Sequence, residues 1–415
     1  MIDARTPARS RTGGAAARHR GAGRAGGWLA AVAWLLLGGG MWAGIGLLAA
    51  RMFATDPPTA GFDLELLLAA GRDVAAGRSP YDPAIVAGAA PAGTQLFYSY
   101  PPLVAQAMSL LAGLPAGAVF AAWSVTAVAG VGIAAFLLRR ALGVRLESGL
   151  AIAGAVAASA VVLPFAIGIL FGNVDAFFPL LYGLLLAGCL AWGRPAQLVG
   201  GAAIAVAALV KVHPASIGIW LVARLVRARR EGRSWPVNGV VVGSAVAGAA
   251  LLGLSLIAGG LAPWLEYAKV AGVIGGSDLL DPRNAGLAAQ VALLAGGDNG
   301  LVRMLQLPVA VGAAAVSAWS AWSRDDVVES LAWGAAASLV VLPVTWYHYP
   351  AALLPFGIAA MLRAHETATA PRTAALLAGA CAVAAAALLW LPLLWVAVAL
   401  VIAATRASWP EAARR

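Results

Sequence analysis

GWLAAVAWLLLGGGMWAGIGLLAA, residues 27–50, decides the class of fold. It carries no charge and matches the roughly 20 apolar residues that a helix needs to cross a bilayer. It is also longer than the ~7–15 residue apolar core of a secretory signal. The stretch therefore predicts a retained first span. Before it, residues 1–26 hold six arginines among many Ala and Gly, which predicts a disordered basic tail kept in the cytoplasm. The whole chain agrees with this start. Of 415 residues, 61% are hydrophobic and 11% charged, and the mean hydropathy is +0.85. About a quarter of the residues of a soluble domain are charged, so a soluble enzyme is excluded, and with it disorder and collagen. Cys189 and Cys381 both sit in apolar runs, which removes a disulfide scaffold or a thiolate metal site.

Working outward, further candidate spans are 102–138, 148–170, 174–192, 196–210, 213–229, 237–260, 301–322, 327–345, 349–363, 373–389 and 392–405. The stretch 102–138 is too long for one helix and breaks at Gly113-Leu114-Pro115. Two crossings there would put Arg139, Arg140 and Arg145 on the opposite side from the arginines of 224–233. One crossing, with 102–113 short or re-entrant, keeps both clusters inside, as the Lys/Arg bias of short loops requires. The formal charge of +10 then divides into an arginine-rich interior and a slightly acidic exterior. It is a topology signal and a lipid-headgroup contact, so no nucleic-acid partner is expected. The prediction is an all-α polytopic membrane protein of about 12 transmembrane helices, with both termini cytoplasmic in a plasma membrane. One integral domain covers 27–405, with a tail at 406–415. Its two longer outer loops are 51–101 and 261–300.

That topology gathers scarce polar residues on the outer boundary. They are Asp63, Glu65, Tyr98, Tyr100, Asn173, Asp175, Lys211, His213, Arg283, Asn284 and His348, with Trp346 and Tyr349 beside the last. Polar groups at membrane level are costly unless they face a cavity, so the convergence predicts one outward-facing site. Apolar residues after Phe62 recur at helical spacing, which predicts an interfacial helix in the first loop with Asp63 in its first turn. Asp63 there is either a cap that complements the helix dipole or a general base. Tyr98 and Tyr100 read as belt anchors or cavity residues. Lys211-Val212-His213-Pro214 contains one of only two lysines. Lys211 either snorkels or meets a phosphate as a point charge. His348 is either a satisfied structural partner or part of the chemistry. The chain has no P-loop, GxGxxG, HExxH or paired CxxC, and no row of mid-span ionisable residues such as a pump needs.

These motifs, in this order, resemble glycosyltransferase family 87, the polyprenol-phosphate-mannose-dependent mannosyltransferases. That family is marked by an Asp-led helix, Phe-x-Tyr-Pro-Pro, Gly-Gln-x-Asn, Lys-x-x-Pro, an Asn-Gln-Ser loop and Ser-Trp-x-His-His. The matching stretches are Phe62-Asp63-Leu64, Tyr98-Ser99-Tyr100-Pro101-Pro102, Gly172-Asn173-Val174-Asp175, Lys211-Val212-His213-Pro214, Arg283-Asn284-Ala285-Gly286 and Thr345-Trp346-Tyr347-His348-Tyr349. Asn173 stands where that pattern has Gln, Asp175 where it has Asn, and Tyr349 where it has the second His. Ala285-Gly286 stands for Gln-Ser.

The resemblance implies a GT-C-like bundle with an outward cavity under the loop helix. It implies a polyprenyl-phosphate sugar donor, mannose being the expected sugar, and a lipid or glycan acceptor. Asp63 would be the base of an inverting displacement. Lys211, His213, His348 and Tyr349 would meet the donor's phosphate and sugar. Glu65, Tyr98, Tyr100, Asn173, Asp175, Arg283, Asn284 and Trp346 would line the cavity, and no metal or other cofactor is expected. A transporter or flippase of a lipid-linked sugar, or an inactive scaffold of the same fold, would also place polar groups on the outer face.

Overall fold

The computed structural model describes residues 13–55, 59–89, 97–191, 193–233, 236–274, 279–365 and 367–409, and every regular element among them is helical. The first helix, Gly13–Phe53, starts within the basic stretch. Residues 1–12 and 410–415 lie outside the described residues, and with them part of each expected tail.

Among the described residues four helices are long and apolar enough to cross a membrane: Val32–Phe53, Ala116–Ala141, Val237–Gly259 and Asn299–Ser323. Ser148–Ser159 and Leu163–Phe171 make a fifth candidate if they form one span, bent by 74°. Several further apolar helices expected to cross, such as Arg194–Val210 and Leu393–Ala407, are shorter. The stretch 102–138 resolves into two pieces. Pro102–Ser109 has eight residues, about 12 Å of helix against a ~30 Å hydrocarbon core. The chain restarts after Pro115 as Ala116–Ala141.

Lipid tails are as apolar as the side chains that face them, so these helices associate through close packing. Small residues permit it. A Cβ added to Gly201 would lie 2.1 Å from the carbonyl oxygen of Val240, and one added to Gly243 would lie 2.4 Å from that of Leu198. Helices Arg194–Val210 and Val237–Gly259 therefore meet backbone to backbone. The main apolar core is built round Phe165, Phe178, Tyr182, Trp220 and Phe356. At one end of the bundle buried Arg224 donates to the carbonyls of Ala321 and Asp325 at 3.0 and 2.9 Å. Arg363 forks onto Asp326 with two bonds of 2.8 Å.

The loop helix Phe62–Ala75 buries Leu64, Leu67, Leu68 and Gly71, the i, i+3, i+4, i+7 stripe of an amphipathic helix. Its partner is Pro102–Ser109, approached so closely that a Cβ on Gly71 would lie 2.6 Å from the backbone of Met108. Gly61 ties its start to the bundle by donating to the carbonyl of Leu170 at 2.8 Å.

Helical backbone is interrupted at three places whose residues meet in the bundle. Leu163–Phe171 stops at Gly172, whose φ of 68° ends it, and a single 3-10 turn, Val174–Phe177, leads into Phe178–Leu190. Arg194–Val210 stops at Lys211, and His213–Ser216 leads into Ile217–Arg230. Tyr349–Leu353 leads into Leu354–Ala364. Prolines at 179, 214, 350 and 355 occupy the first turns of the resumed helices, where the missing N–H costs no internal bond. Irregular backbone within a membrane bundle is tolerated where protein surrounds it. All three interruptions sit against one another, and the candidate site lies among them.

Candidate active site

Asp63 occupies the first turn of the loop helix and is half-buried. The Gly172 turn places buried Asn173 beneath it, and the Asn173 amide donates to Asp63 Oδ2 at 2.7 Å and to the Tyr100 hydroxyl at 3.2 Å. Gly172 is required here on two counts. Its φ is one that side chains disfavour, and a Cβ would lie 2.5 Å from the Cβ of Leu64, next to Asp63. The backbone N–H of Asp175 returns to Asn173 Oδ1 at 3.0 Å.

Asp175 is fully buried and joins the three interruptions. Its Oδ2 accepts from Lys211 Nζ at 2.7 Å and lies 3.2 Å from His348 Nε2. Lys211 Nζ also stands 3.9 Å from the centre of the Tyr349 ring, within cation–π range. The His213 ring stacks on Tyr349 with centroids 5.1 Å apart and planes 15° apart. Among the described residues neither ring nitrogen of His213 has a hydrogen-bond partner, and neither does Asp175 Oδ1. Phe171 bridges the halves of the site, touching Phe62 at 4.5 Å and His348 at 6.0 Å between ring centroids. Two carboxylates thus lie side by side in different states. Asp175 is engaged by the Lys211 cation and faces His348, whereas Asp63 has one amide donor and partial exposure.

Burial pushes the Asp63 carboxyl above its ordinary pKa of 3.8, and the neighbouring Asp175 adds to this. His348, the Asn173 hydrogen bond and Lys211 pull the other way without cancelling it. Burial and the two carboxylates hold the Tyr100 phenol well above its ordinary range, so it stays protonated.

The other residues expected on the outer boundary spend their polar groups elsewhere, though the Tyr98 ring lies 5.9 Å from that of Tyr100. Glu65 is exposed and pairs with Arg72 at 2.5 Å. It borders a cavity of about 520 Å³ between Phe53, Phe62, Leu66 and Ala116. The Tyr98 hydroxyl donates to the Pro101 carbonyl and accepts from Ala105 N–H, both at 2.9 Å, fixing the re-entry turn. Asn284 uses its amide to bolt the turn before Leu287–Leu294 to the stretch that precedes Tyr349–Leu353. It donates to the carbonyls of Leu279 and Pro343 and accepts from the N–H of Gly286 and Thr345. Arg283 is exposed on its surface, paired with Asp281 at 2.6 Å. The Arg283 guanidinium carbon lies 5.9 Å from the ring centre of half-buried Trp346.

Sequence reading missed Trp123, which donates from the Ala116–Ala141 helix to the Asn173 carbonyl at 3.4 Å. It also missed the bridging ring of Phe171. In sequence both look like ordinary span residues, and no local signal distinguishes them. Among the described residues no three His, Cys, Asp or Glu side chains form a metal-binding group.

Residues 98–343, more than half of the chain, match the family model described as glycosyltransferase family 87. No curated protein matches the chain. The matched segment contains Tyr100, Asn173, Asp175, Lys211 and His213. Asp63, His348 and Tyr349 lie outside it and join those residues through the tertiary structure.

Proposed function

The chain belongs to glycosyltransferase family 87, and from that premise we propose a specific reaction. A sugar, mannose in this reading, moves from a polyprenyl phosphate to a hydroxyl of a lipid or glycan acceptor at the outer face of a plasma membrane. The observation that carries the reading is the unequal pair of carboxylates. A general base must reach its substrate and must not be neutralised by a cation. Asp63 meets both conditions, being half-buried and, among the described residues, hydrogen-bonded at its carboxylate by the Asn173 amide alone. Asp175 meets neither, because it is enclosed and held by Lys211.

In the reaction so read, the acceptor hydroxyl gives its proton to Asp63 as its oxygen attacks the anomeric carbon. The bond from that carbon to the phosphate oxygen breaks, and the lipid phosphate leaves with the electron pair. Attack opposite the leaving group inverts the anomeric centre. Lys211 supplies positive charge, and Lys211 and His348 supply donors, toward the departing phosphate, which supports bond breaking because it strengthens as charge develops. Asp175 holds both in place, and the Tyr349–His213 stack gives Lys211 an aromatic floor. The reading assigns no metal to the charge stabilisation.

The test is Asp63→Asn in protein reconstituted in vesicles with a polyprenyl-phosphate mannose donor. Loss of a positioned base costs about 10²–10⁴-fold in turnover, with donor binding retained. Full transfer by Asp63→Asn would remove the base assignment.

A further inference from the structure

We propose that Asn173 is the positioning residue for Asp63: its amide binds Oδ2, fixes the carboxylate plane and leaves Oδ1 as the oxygen that takes the proton. The proposal rests on the reading of Asp63 as the base. The geometry that carries it is the locked orientation of one buried amide. Asn173 Oδ1 accepts the Asp175 backbone N–H at 3.0 Å, so its Nδ2 is turned to the other side, 2.7 Å from Asp63 Oδ2. A flipped amide would set its N–H₂ against a backbone N–H and its oxygen against a carboxylate, losing both bonds at once.

The backbone of Asn173 is held as firmly as its side chain. Its N–H donates to the Gly168 carbonyl at 2.9 Å, and its own carbonyl receives Trp123 Nε1 at 3.4 Å. Asn173 itself is 3% exposed, so it acts on the reaction through Asp63. Among the described residues Asp63 Oδ1 accepts no hydrogen bond. The proton therefore goes to Oδ1, because Oδ2 already spends a lone pair on the amide.

The charged and titratable groups facing Asp63 are His348, Lys211, Asp175, Tyr100 and Tyr349, with Glu65 on its own helix. The amide is the hydrogen-bond donor among its neighbours, and donation to the ionised form keeps a carboxylate charged.

Two substitutions separate positioning from simple turn capping. Asn173→Asp keeps an Oδ1 acceptor for the Asp175 N–H, and with it the cap, but replaces the donor with a like charge. Asn173→Ala removes both. In the full chain in lipid vesicles, the Asp63 carboxyl is titrated by infrared difference spectroscopy, its band identified by its loss in Asp63→Asn. A hydrogen bond to a charged group corresponds to roughly one pH unit or more. The midpoint is expected to rise by about that much in Asn173→Ala and further in Asn173→Asp. Transfer from polyprenyl-phosphate mannose should fall in both through kcat, with KM for the donor little changed.

A midpoint and kcat like wild type in Asn173→Asp would overturn the proposal and leave Asn173 as a cap, even if Asn173→Ala failed to fold. Unmoved midpoints in both variants would overturn it equally. If the midpoints shift but Asp63→Asn transfers sugar at full rate, the base assignment fails, and the positioning role falls with it.

Discussion

Replacing Asp175 by Asn tests the centre of the site. The Lys211–Asp175 pair spans 2.7 Å, with 11% of the lysine side chain and none of the aspartate side chain exposed. At an effective dielectric constant of about 20, Coulomb attraction at that distance is about 6 kcal/mol. Desolvation of the two ions offsets much of it, yet removing one partner from such a pair still costs about 3–5 kcal/mol, because the other charge stays buried alone. Asp175→Asn keeps the shape and withdraws the charge from Lys211 and from His348, 3.2 Å away. The expected loss is about 3 kcal/mol of unfolding free energy, measured by detergent-driven unfolding in bicelles. Lys211→Met in the same protein should cost a comparable amount. The double variant leaves no buried unpaired charge at this pair and should be more stable than the sum of the two losses implies, with a coupling of about 1–3 kcal/mol. Strict additivity, or a loss below about 1 kcal/mol in Asp175→Asn, would refute the account of Asp175 as the residue that ties the three interruptions together.

Other outcomes follow from the same geometry. Transfer should fall on acidification through a midpoint above 3.8, since the base works ionised and burial raises the pKa of Asp63; a pH–rate profile with no acidic limb above that value counts against the assignment. Gly172→Ala places a Cβ 2.5 Å from that of Leu64 in a left-handed backbone. The backbone strain alone costs about 1–2 kcal/mol, and the shifted loop helix should lower kcat as well, both readable on purified protein. Tyr349→Leu removes the ring beneath Lys211 and beside His213. A desolvated cation–π contact is worth about 2 kcal/mol, so donor affinity should weaken by roughly tenfold or more in a binding titration. Arg363→Ala breaks the two bonds to Asp326 away from the site. It should lower thermal stability, because it leaves the buried Asp326 carboxylate without its cation, while kcat/KM stays within about twofold if the pair takes no part in transition-state binding.

The helical class and the membrane environment were legible in the sequence because burial in lipid is enforced by composition. A run such as residues 27–50 has no other stable setting. The short helix Pro102–Ser109 and the restart after Pro115 were legible for a comparable reason, since charge asymmetry and a proline both act locally. Span length was less legible. The hydropathy run 148–170 is continuous in sequence, but it folds as two helices bent by 74° at the break between Ser159 and Leu163.

Within the outer polar set, sequence supplied the residues and the structure sorted them. Asp63, Tyr100, Asn173, Asp175, Lys211, His213, His348 and Tyr349 lie in one cluster, whereas Glu65, Tyr98, Arg283 and Asn284 spend their polar groups on neighbours elsewhere. Residue type could not separate these groups. Asn173 and Asn284 are both amides next to turns, and each caps the residue two positions on. What differs is the partner of the free N–H₂: a carboxylate from a helix 110 residues away for Asn173, backbone carbonyls for Asn284. Composition and local pattern determined that this chain is a helical membrane protein with its few polar groups at span ends, because solvation and backbone sterics act over a few residues. Which carboxylate is paired and which is left to react was decided by tertiary structure. Hydrogen bonds and charge pairing depend on ångström distances between segments that meet only when the three interruptions pack together.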